Sequence, residues 1–360
     1  MEIIQATREF ETWLGRQVDL QPDEVLYKHE QMGNRADPFP FFRGTYYRWV
    51  QVWPTVCPEL QTGPQVLSVG DLHLENFGTW RDSDSRLVWG INDFDEADEL
   101  PCTNDLVRLA ASVSFARRSG ALDFRLACQA ILDGYVQGLA RGGEPFVLEE
   151  KHPSLRRLAM QEERDPVAFW EKHTALLNDP ASKVPQDAEA ALLRSLPPTA
   201  APCTIRRRLR VGMGSLGKPR FAALAQDAGS WIAREAKALC GPATRWFDDS
   251  APRPSRITDV LSRAIRCPDP CLGIDGSWIV RRLAPRCSRI ELGHLAKTDD
   301  EKTLLTAMGT ETANIHVGGG TDRQALLSYL QSLPSHWLEH AARETAKSLR
   351  DDWKTWCRSQ

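Results

Sequence analysis

VLSVGDLHLENFG, residues 66–78, and LVWGINDFDEAD, residues 87–98, are the two stretches that decide the fold. Each begins with a short apolar run bounded by turn residues, and such a run predicts a buried strand. Each run leads directly into polar and acidic residues. If the two strands pair as a hairpin, both acidic ends lie at one edge, and we expect a functional site there.

The polar residues at these strand ends have the chemistry of a magnesium site. Asp71 and Asn76 follow the first strand, and Asp93 and Asp95 follow the second. Carboxylates a few ångströms apart repel one another unless a cation or a proton balances them. Mg²⁺ is usually held by one or two carboxylates together with substrate phosphates. We therefore predict that Asn76, Asp93 and Asp95 hold Mg²⁺; a polar turn with solvated acids is the alternative.

The spacing of these residues favours phosphoryl transfer. Asp71 and Asn76 stand in the order Asp-x-x-x-x-Asn. This is the spacing of the protein kinase catalytic loop, in which the Asp accepts a hydroxyl proton and the Asn holds a metal. Asp93-Phe94-Asp95 follows at about the distance expected for the metal-binding Asp-Phe-Gly segment. Asp71 is thus the predicted catalytic base, and His73 is predicted to orient the loop.

Composition is that of a globular protein and excludes several functions. The 360 residues are 42% hydrophobic and 26% charged, enough for a sizeable core and about two domains. The net charge of −3 provides no basic field for nucleic acid. No apolar run approaches the ~20 residues of a membrane span. Nine scattered cysteines without a CxxC pair predict reduced thiols and a cytoplasmic location.

Arg43 is an unusual residue for its position, because it stands inside the aromatic run PFPFFRGTYYRW. A buried Arg needs a partner, and a phosphate or a carboxylate would serve. We predict that Arg43 belongs to the catalytic site, with a structural ion pair as the alternative.

A longer series of motifs resembles a bacterial family known as domain of unknown function 2252. The motifs are ADPFPFFRGTYYRW, VGDLHLENFG, INDFDEA and NDLVRLAAS, in that order, and the resemblance covers roughly residues 28–118. The family is distantly similar to kinase-like phosphotransferases of the aminoglycoside and choline type. The resemblance implies an α+β, protein-kinase-like fold with a mainly helical large lobe and a small β-rich lobe. It implies ATP and Mg²⁺ as cofactors and supplies no substrate.

The same resemblance implies a role for Asp105, which opens an apolar helix. In kinase-like folds an Asp at the start of a comparable helix accepts N–H groups of the catalytic loop. A plain helix cap is the alternative, and the two roles are compatible.

A glycine-rich segment later in the chain predicts a loop that covers phosphates. Gly212, Gly214 and Gly217, with Ser215 among them, lie between two strand-like runs. Pro219 and the second run favour strand–loop–strand over the strand-to-helix turn of dinucleotide-binding proteins. Such a hairpin lets backbone N–H groups approach nucleotide phosphates, as in kinases. A flexible hairpin turn without a ligand is the alternative.

The triplet Arg234-Glu235-Ala236 stands where the family resemblance has Lys-Glu-Ala. The resemblance implies that Arg234 pairs with the phosphates, although Arg lacks the point-charge geometry of Lys. By the alternation of strand side chains, Lys237 faces opposite to Arg234 and is no obvious substitute. This departure raises the alternative of a catalytically weak, pseudokinase-like nucleotide-binding module.

The order of the motifs predicts an unusual organisation. The glycine segment follows the catalytic loop by more than 130 residues. If both segments serve these roles the kinase-like fold is circularly permuted, which is tolerable when the parent termini lie close together. We expect residues 1–200 to form the helical large lobe, residues 201–290 the β-rich nucleotide-covering lobe, and residues 291–360 helices that pack on the large lobe.

The expected function is transfer of the ATP γ-phosphate to the hydroxyl of an unidentified substrate. The predicted partners are the nucleotide and that substrate, with no nucleic acid and no membrane; the oligomeric state stays open. A metal-dependent phosphoesterase is a further alternative, because Gly70-Asp71-Leu72-His73 resembles the first metal motif of calcineurin-like enzymes. The later Gly-Asn-His and paired-His motifs of those enzymes do not occur in this sequence.

Overall fold

Helices and small sheets occupy separate blocks of the chain, which confirms the predicted α+β class. The computed structural model describes residues 1–116, 122–149, 151–178, 183–248, 255–295 and 297–360. None of the helices it describes is both long and apolar enough to cross a bilayer.

The first block is helical and contains the aromatic run around Arg43. It consists of α1 (Ile3–Leu14), α2 (Pro22–Met32), α3 (Phe39–Gly44) and α4 (Tyr46–Val56). The helical spacing of the apolar residues Ile3, Ile4, Phe10, Trp13 and Leu14 predicts a helix over residues 3–16, and α1 confirms it in its main part. The sequence after it predicts a loop, but the structure has α2 there; Pro22 in the first turn of α2, followed by Asp23 and Glu24, is its start signal.

Two small sheets hold the candidate catalytic segments. One pairs β1 (Gln65–Ser68) with β4 (Asp98–Pro101), and the other contains β2 (Phe77–Arg81), β3 (Leu87–Ile91) and β5 (Phe146–Val147). The predicted hairpin between the two apolar runs is wrong, because β1 pairs with β4 and β3 pairs with β2. Both strands exist as predicted, but they belong to different sheets.

A second helical block follows these sheets and leads to the largest sheet. It contains α5 (Thr103–Phe115), α6 (Phe124–Arg141), α7 (Pro153–Gln161), α8 (Pro166–Thr174) and α9 (Gln186–Ser195).

The five-stranded antiparallel sheet has the order β6-β7-β8-β10-β9. Its strands are β6 (Cys203–Arg207), β7 (Arg220–Asp227), β8 (Ser230–Ala238), β9 (Gly273–Asp275) and β10 (Trp278–Leu283), and the helices α10 (Ala243–Phe247) and α11 (Ile257–Arg263) lie between β8 and β9. The glycine segment connects β6 to β7, so the predicted strand–loop–strand arrangement is confirmed.

The two faces of this sheet have different environments. On the outer face, Ala236, Trp278 and Val280 form a small apolar cluster with Leu192 of α9. On the inner face the side chains are charged, and Glu235 bonds Arg281 of the neighbouring strand. This alternation decides which residues reach the candidate site.

Three C-terminal helices complete the main core. They are α12 (Thr298–Gly318), α13 (Arg323–Ser332) and α14 (Trp337–Ser359). α12 packs along α6, while α14 packs against α4, α5 and α6. The crossing of α6 and α12 is close, because a Cβ added at Gly134 would lie 1.9 Å from the carbonyl oxygen of Thr306. The kinase-like lobe arrangement and the three predicted domain ranges stay predictions.

Candidate active site

One charged cleft collects most of the residues that the sequence singles out. It has a volume of about 390 Å³ and lies between the inner face of the five-stranded sheet and the loops that follow β1 and β3. Of the predicted site residues, the cleft is lined by Arg43, Asp71, His73, Asn76, Asp93, Asp95, Gly212, Gly214 and Ser215. The acidic ends of the two segments thus converge, although their strands do not pair.

The loop after β1 is anchored from below by Asp105, as the resemblance implied. Its Oδ2 accepts the backbone N–H of Val69 at 2.7 Å, and its Oδ1 accepts that of Gly70 at 3.0 Å. Nε2 of His316 lies 3.0 Å from Oδ2, and the hydroxyl of Tyr135 lies 2.7 Å from the other ring nitrogen. Burial alone would raise the pKa of Asp105, but His316 and these donors outweigh it and lower the pKa.

Asp71 is held through one oxygen and is open at the other. Arg108 of α5 donates to Oδ1 from Nε at 2.9 Å and from Nη2 at 2.6 Å. The same Nη2 also donates to the carbonyl of Phe42, whose ring lies 3.8 Å from the guanidinium carbon. Burial raises the pKa of Asp71 against the opposing effect of Arg108. The carboxyl is thus fixed in orientation and more basic than usual.

His73 and Asn76 form the two ends of a short 3₁₀ turn. The backbone N–H of His73 donates to Oδ1 of Asn76 at 2.6 Å, and the N–H of Glu75 donates to Nδ1 of His73 at 3.2 Å. Burial, together with Arg43 and Arg108, lowers the pKa of His73 well below its usual value. His73 is therefore a neutral ring that shapes the loop, and Asn76 keeps one lone pair of its carbonyl oxygen for a ligand.

Glu75, within the same turn, brings two arginines together. Nη1 of Arg43 lies 2.6 Å from Oε2 of Glu75, and Arg289 contacts the same oxygen. Arg43 thus has the structural ion pair that was the alternative prediction, and it still lines the cleft.

The acidic segment after β3 meets a lysine from the sheet. Nζ of Lys237 lies 2.6 Å from Oδ2 of Asp95 and 3.4 Å from Oδ1 of Asp93. Burial alone would raise the pKa of Asp93, but Lys237 and Arg281 outweigh it and lower the pKa. Burial and the neighbouring Asp93 raise the pKa of Asp95. The two carboxyl groups therefore share Lys237 as an ion-pair partner.

Glu96 continues this acidic segment on its buried side. Its Oε2 accepts the backbone N–H of Ala243 at 2.6 Å. Burial raises the pKa of Glu96 to about 7, against the lowering effect of the nearby Lys218.

The glycine segment lies over the loop that follows β1. A Cβ added at Gly214 would lie 3.2 Å from the carbonyl oxygen of Arg43 and 3.7 Å from Oδ2 of Asp71. Gly212 has φ +73°, a conformation in which a side chain would be strained. The Ser215 hydroxyl donates to the carbonyl of Gly212 at 3.2 Å and also contacts Arg220.

Gly217 and Arg234 lie outside the cleft. Gly217 packs on α2, where an added Cβ would lie 2.8 Å from Cγ2 of Val25. Arg234 donates from Nε to the carbonyl of Ser195 at 3.0 Å, on the outer face of the sheet. The implied pairing of Arg234 with nucleotide phosphates does not fit this position, because the sheet stands between Arg234 and the cleft.

Several residues of the site were not predicted. Arg108 has a sequence signal, since it is the one charged residue within the apolar run 106–111. Lys237 was set aside because it faces opposite to Arg234, yet that face is the one that points to the cleft.

Glu235, whose side chain is fully buried, accepts from Arg220 at 2.9 Å and from Arg281 at 2.7 Å. Arg281 had no signal beyond its place on a strand.

The site offers oxygen ligands for a magnesium ion, but the protein does not supply a complete coordination shell. Among the described residues there is no group of three or more His, Cys, Asp and Glu side chains arranged to hold a metal. Mg²⁺ commonly takes one or two carboxylates and completes its shell with phosphates and water. Asp93 and Asp95, with the free lone pair of Asn76, fit that mode of binding.

Fold and site define an α+β protein with a charged cleft closed by a glycine hairpin. Residues 20–167 match the sequence model of a family described as an uncharacterized protein conserved in bacteria (DUF2252). The match contains the loop after β1, the acidic segment after β3 and Arg108, and it supports the family resemblance that the motifs predict. No match was found among the curated proteins or among the solved structures.

Proposed function

We propose that this protein is a kinase-like phosphotransferase that moves the γ-phosphate of ATP to a substrate hydroxyl with Mg²⁺. The observation that supports this most strongly is the position of Gly214 beside the open Oδ2 of Asp71. A glycine loop that exposes backbone N–H groups is a phosphate-binding element, and an oriented carboxylate is a general base. The transferred group and the attacking hydroxyl need these two elements side by side.

Asp71 is the base in this proposal. Arg108 holds its Oδ1 in a two-pronged contact, which leaves Oδ2 to accept the hydroxyl proton. The raised pKa of Asp71 suits this role, because a more basic carboxylate accepts a proton more readily.

Asp93 and Asp95 are the proposed metal ligands. Lys237 balances part of their negative charge, and a bound divalent cation would balance more of it. Mg²⁺ held by these two carboxylates would supply positive charge to offset the negative charge of the phosphates.

Lys237 is also the proposed partner of the phosphates, in place of Arg234. It lies on the inner face of β8, opposite Arg220 of β7, the strand that leaves the glycine loop. Three arginines surround Glu235 two residues earlier, so this face of the sheet has a surplus of positive charge toward the cleft. A polyphosphate is the ligand that such a face favours.

The position of Lys237 weakens the case for a catalytically weak module. That alternative was motivated by Arg234 at the place of an expected lysine. Because Arg234 bonds Ser195 outside the cleft, a lysine at position 234 would not reach the phosphates either. The phosphoesterase alternative needs His73 as a metal ligand, but Nδ1 of His73 accepts a backbone N–H, and the proton of the neutral ring then lies on Nε2, so neither nitrogen offers a lone pair.

The test is the variant Asp71→Asn, which keeps an oxygen for Arg108 and removes the base. We expect the rate of MgATP turnover to fall about 100-fold or more, the usual contribution of a general base. We expect the affinity for MgATP to stay within about twofold, measured by calorimetry. A variant that turns over MgATP at the wild-type rate would contradict the proposed role of Asp71.

A further inference from the structure

We propose that the substrate accepting the phosphoryl group is itself an anion, whose phosphate or carboxylate binds to Arg43 and Arg289 beside the catalytic loop. This rests on the proposed function and adds the class of its acceptor. The resemblance to aminoglycoside and choline phosphotransferases, which the motifs predict, would instead suggest a cationic acceptor.

The geometry of this site starts from Glu75. Arg43 from α3 and Arg289 from the segment after β10 both contact its Oε2, so one carboxylate serves two guanidinium groups. The pair keeps a net positive charge. The side chains of Arg289 and Glu75 are 39% and 30% exposed, so the site is open to a ligand.

One donor of this pair has no acceptor. Nε of Arg43 is buried, and within the described part of the chain it has no hydrogen-bond partner. A buried donor without a partner destabilises the folded protein, because it has lost its hydrogen bond to water. An anionic group bound between the two arginines would offset that cost.

The lining of the cleft holds more positive charge than a bound nucleotide alone would need as countercharge. In the described residues its lining holds eleven basic and six acidic side chains, although the chain has a net charge of −3. Arg266 is one of these basic residues. Its guanidinium lies over the rings of Trp80 and Phe94, and none of its three nitrogens has a hydrogen-bond partner among the described residues. Most of the acidic side chains already pair with basic ones, as Asp71 does with Arg108, Glu75 with Arg43, and Asp93 and Asp95 with Lys237, so a cationic acceptor has little negative charge to bind.

The site is at the right place for an acceptor. Glu75 lies between the proposed base Asp71 and Asn76, on the same short loop. The carbonyl of Arg43 and Oδ2 of Asp71 both flank Gly214. A small molecule can therefore place its hydroxyl at Asp71 and its anionic group at the two arginines.

The experiment measures binding of bare anionic groups with the nucleotide region filled. Inorganic phosphate and acetate, with glycerol and choline for comparison, are titrated into protein saturated with Mg²⁺ and a non-hydrolysable ATP analogue. We expect phosphate or acetate to bind and glycerol and choline not to bind. The anion that binds more tightly tells whether the acceptor carries a phosphate or a carboxylate.

The variants decide which residues are responsible. Arg289→Ala should weaken anion binding about tenfold, and Arg289→Lys should restore part of it, because the charge returns without the fork of donors. Arg286→Ala is the matched control, since Arg286 lies in the same segment and pairs with Glu163 instead. Its anion affinity should equal that of the wild type.

The inference is overturned if neither anion binds better than glycerol, if choline binds best, or if Arg289→Ala binds anions as the wild type does. If the ATP analogue itself does not bind, the proposed function fails. The anion site is then tested by the same titrations on the protein without nucleotide.

Discussion

Glu311 is a carboxyl group that the protein buries without a full countercharge. Its side chain on α12 accepts the backbone N–H of Ile91 at 3.3 Å and Nδ2 of Asn314 at 2.9 Å. Burial raises its pKa from 4.5 to about 7, against the lowering effect of Arg266. Between these two pH values the folded protein keeps a proton that the unfolded chain has lost.

Because folding raises the pKa of Glu311, this group should make the protein less stable as the pH rises. The stability that the bound proton confers is present below about pH 4.5 and is lost as the pH rises through about 7. In the wild type this group makes the free energy of unfolding larger at pH 5 than at pH 8. Glu311→Gln should therefore reduce that difference by on the order of 2–3 kcal/mol. Urea unfolding at both pH values measures it, and Glu344→Gln, on the exposed side of α14, controls for the loss of a charge. An unchanged pH dependence would contradict the raised pKa.

Single residues of the site could be predicted where chemistry and spacing agree. Asp71, Asn76 and Asp93 were singled out by residue type and spacing, and the structure places all three at the cleft, while their roles stay predictions. Arg108 was not found, because a lone arginine in a helix gives no indication of which carboxylate it will meet. Its partner Asp71 lies 37 residues away, and only the tertiary fold brings the two together.

At the scale of elements, strand β8 has one face that packs in the outer apolar cluster and one face that is directed at the cleft. Ala236 and Ala238 pack on the outer cluster with α9, and Glu235 and Lys237 face the cleft. The alternation was clear from the sequence. The face that covers the cleft was not, because it depends on where α9 packs.

This strand provides matched variants. Lys237→Met should lower MgATP turnover on the order of 100-fold, since it removes a charge beside the phosphates. Arg234→Met, three residues earlier on the opposite face, should leave turnover within about twofold. Both rates are measured under the same conditions, with melting temperatures as a check on folding. The account of the site is wrong if Arg234→Met is the more damaging change.

Element positions could be predicted wherever periodicity was strong. The apolar run at residues 278–280 and the residues after it predict a strand over 278–283, which is observed as β10, and the apolar residues spaced along 122–141 predict the helix that is observed as α6. The strands β2 and β4 were missed, because β2 begins inside the motif that suggested a loop and β4 contains three polar or proline residues among its four. Missing them led to the wrong pairing of β1 with β3.

At the scale of the whole molecule, the site joins parts of the chain that are far apart in sequence. Asp71, Asp93 and Gly214 line one cleft, and Lys237 contacts Asp93 from the sheet, although Gly214 and Lys237 follow the two carboxylates by more than 100 residues. α12 and α14 return to pack on α4, α5 and α6. This juxtaposition was required by the prediction of a permuted kinase-like fold, which itself stays a prediction.

The most direct test of the account is whether MgATP binds in this cleft. Calorimetric titration of ATP into the wild type, with and without Mg²⁺, and into Asp93→Ala makes the comparison. We predict binding that needs Mg²⁺ and that weakens at least tenfold in Asp93→Ala, because the metal loses a carboxylate ligand. A wild type that binds no ATP, or that binds it equally well without Mg²⁺ and without Asp93, would contradict the central claim.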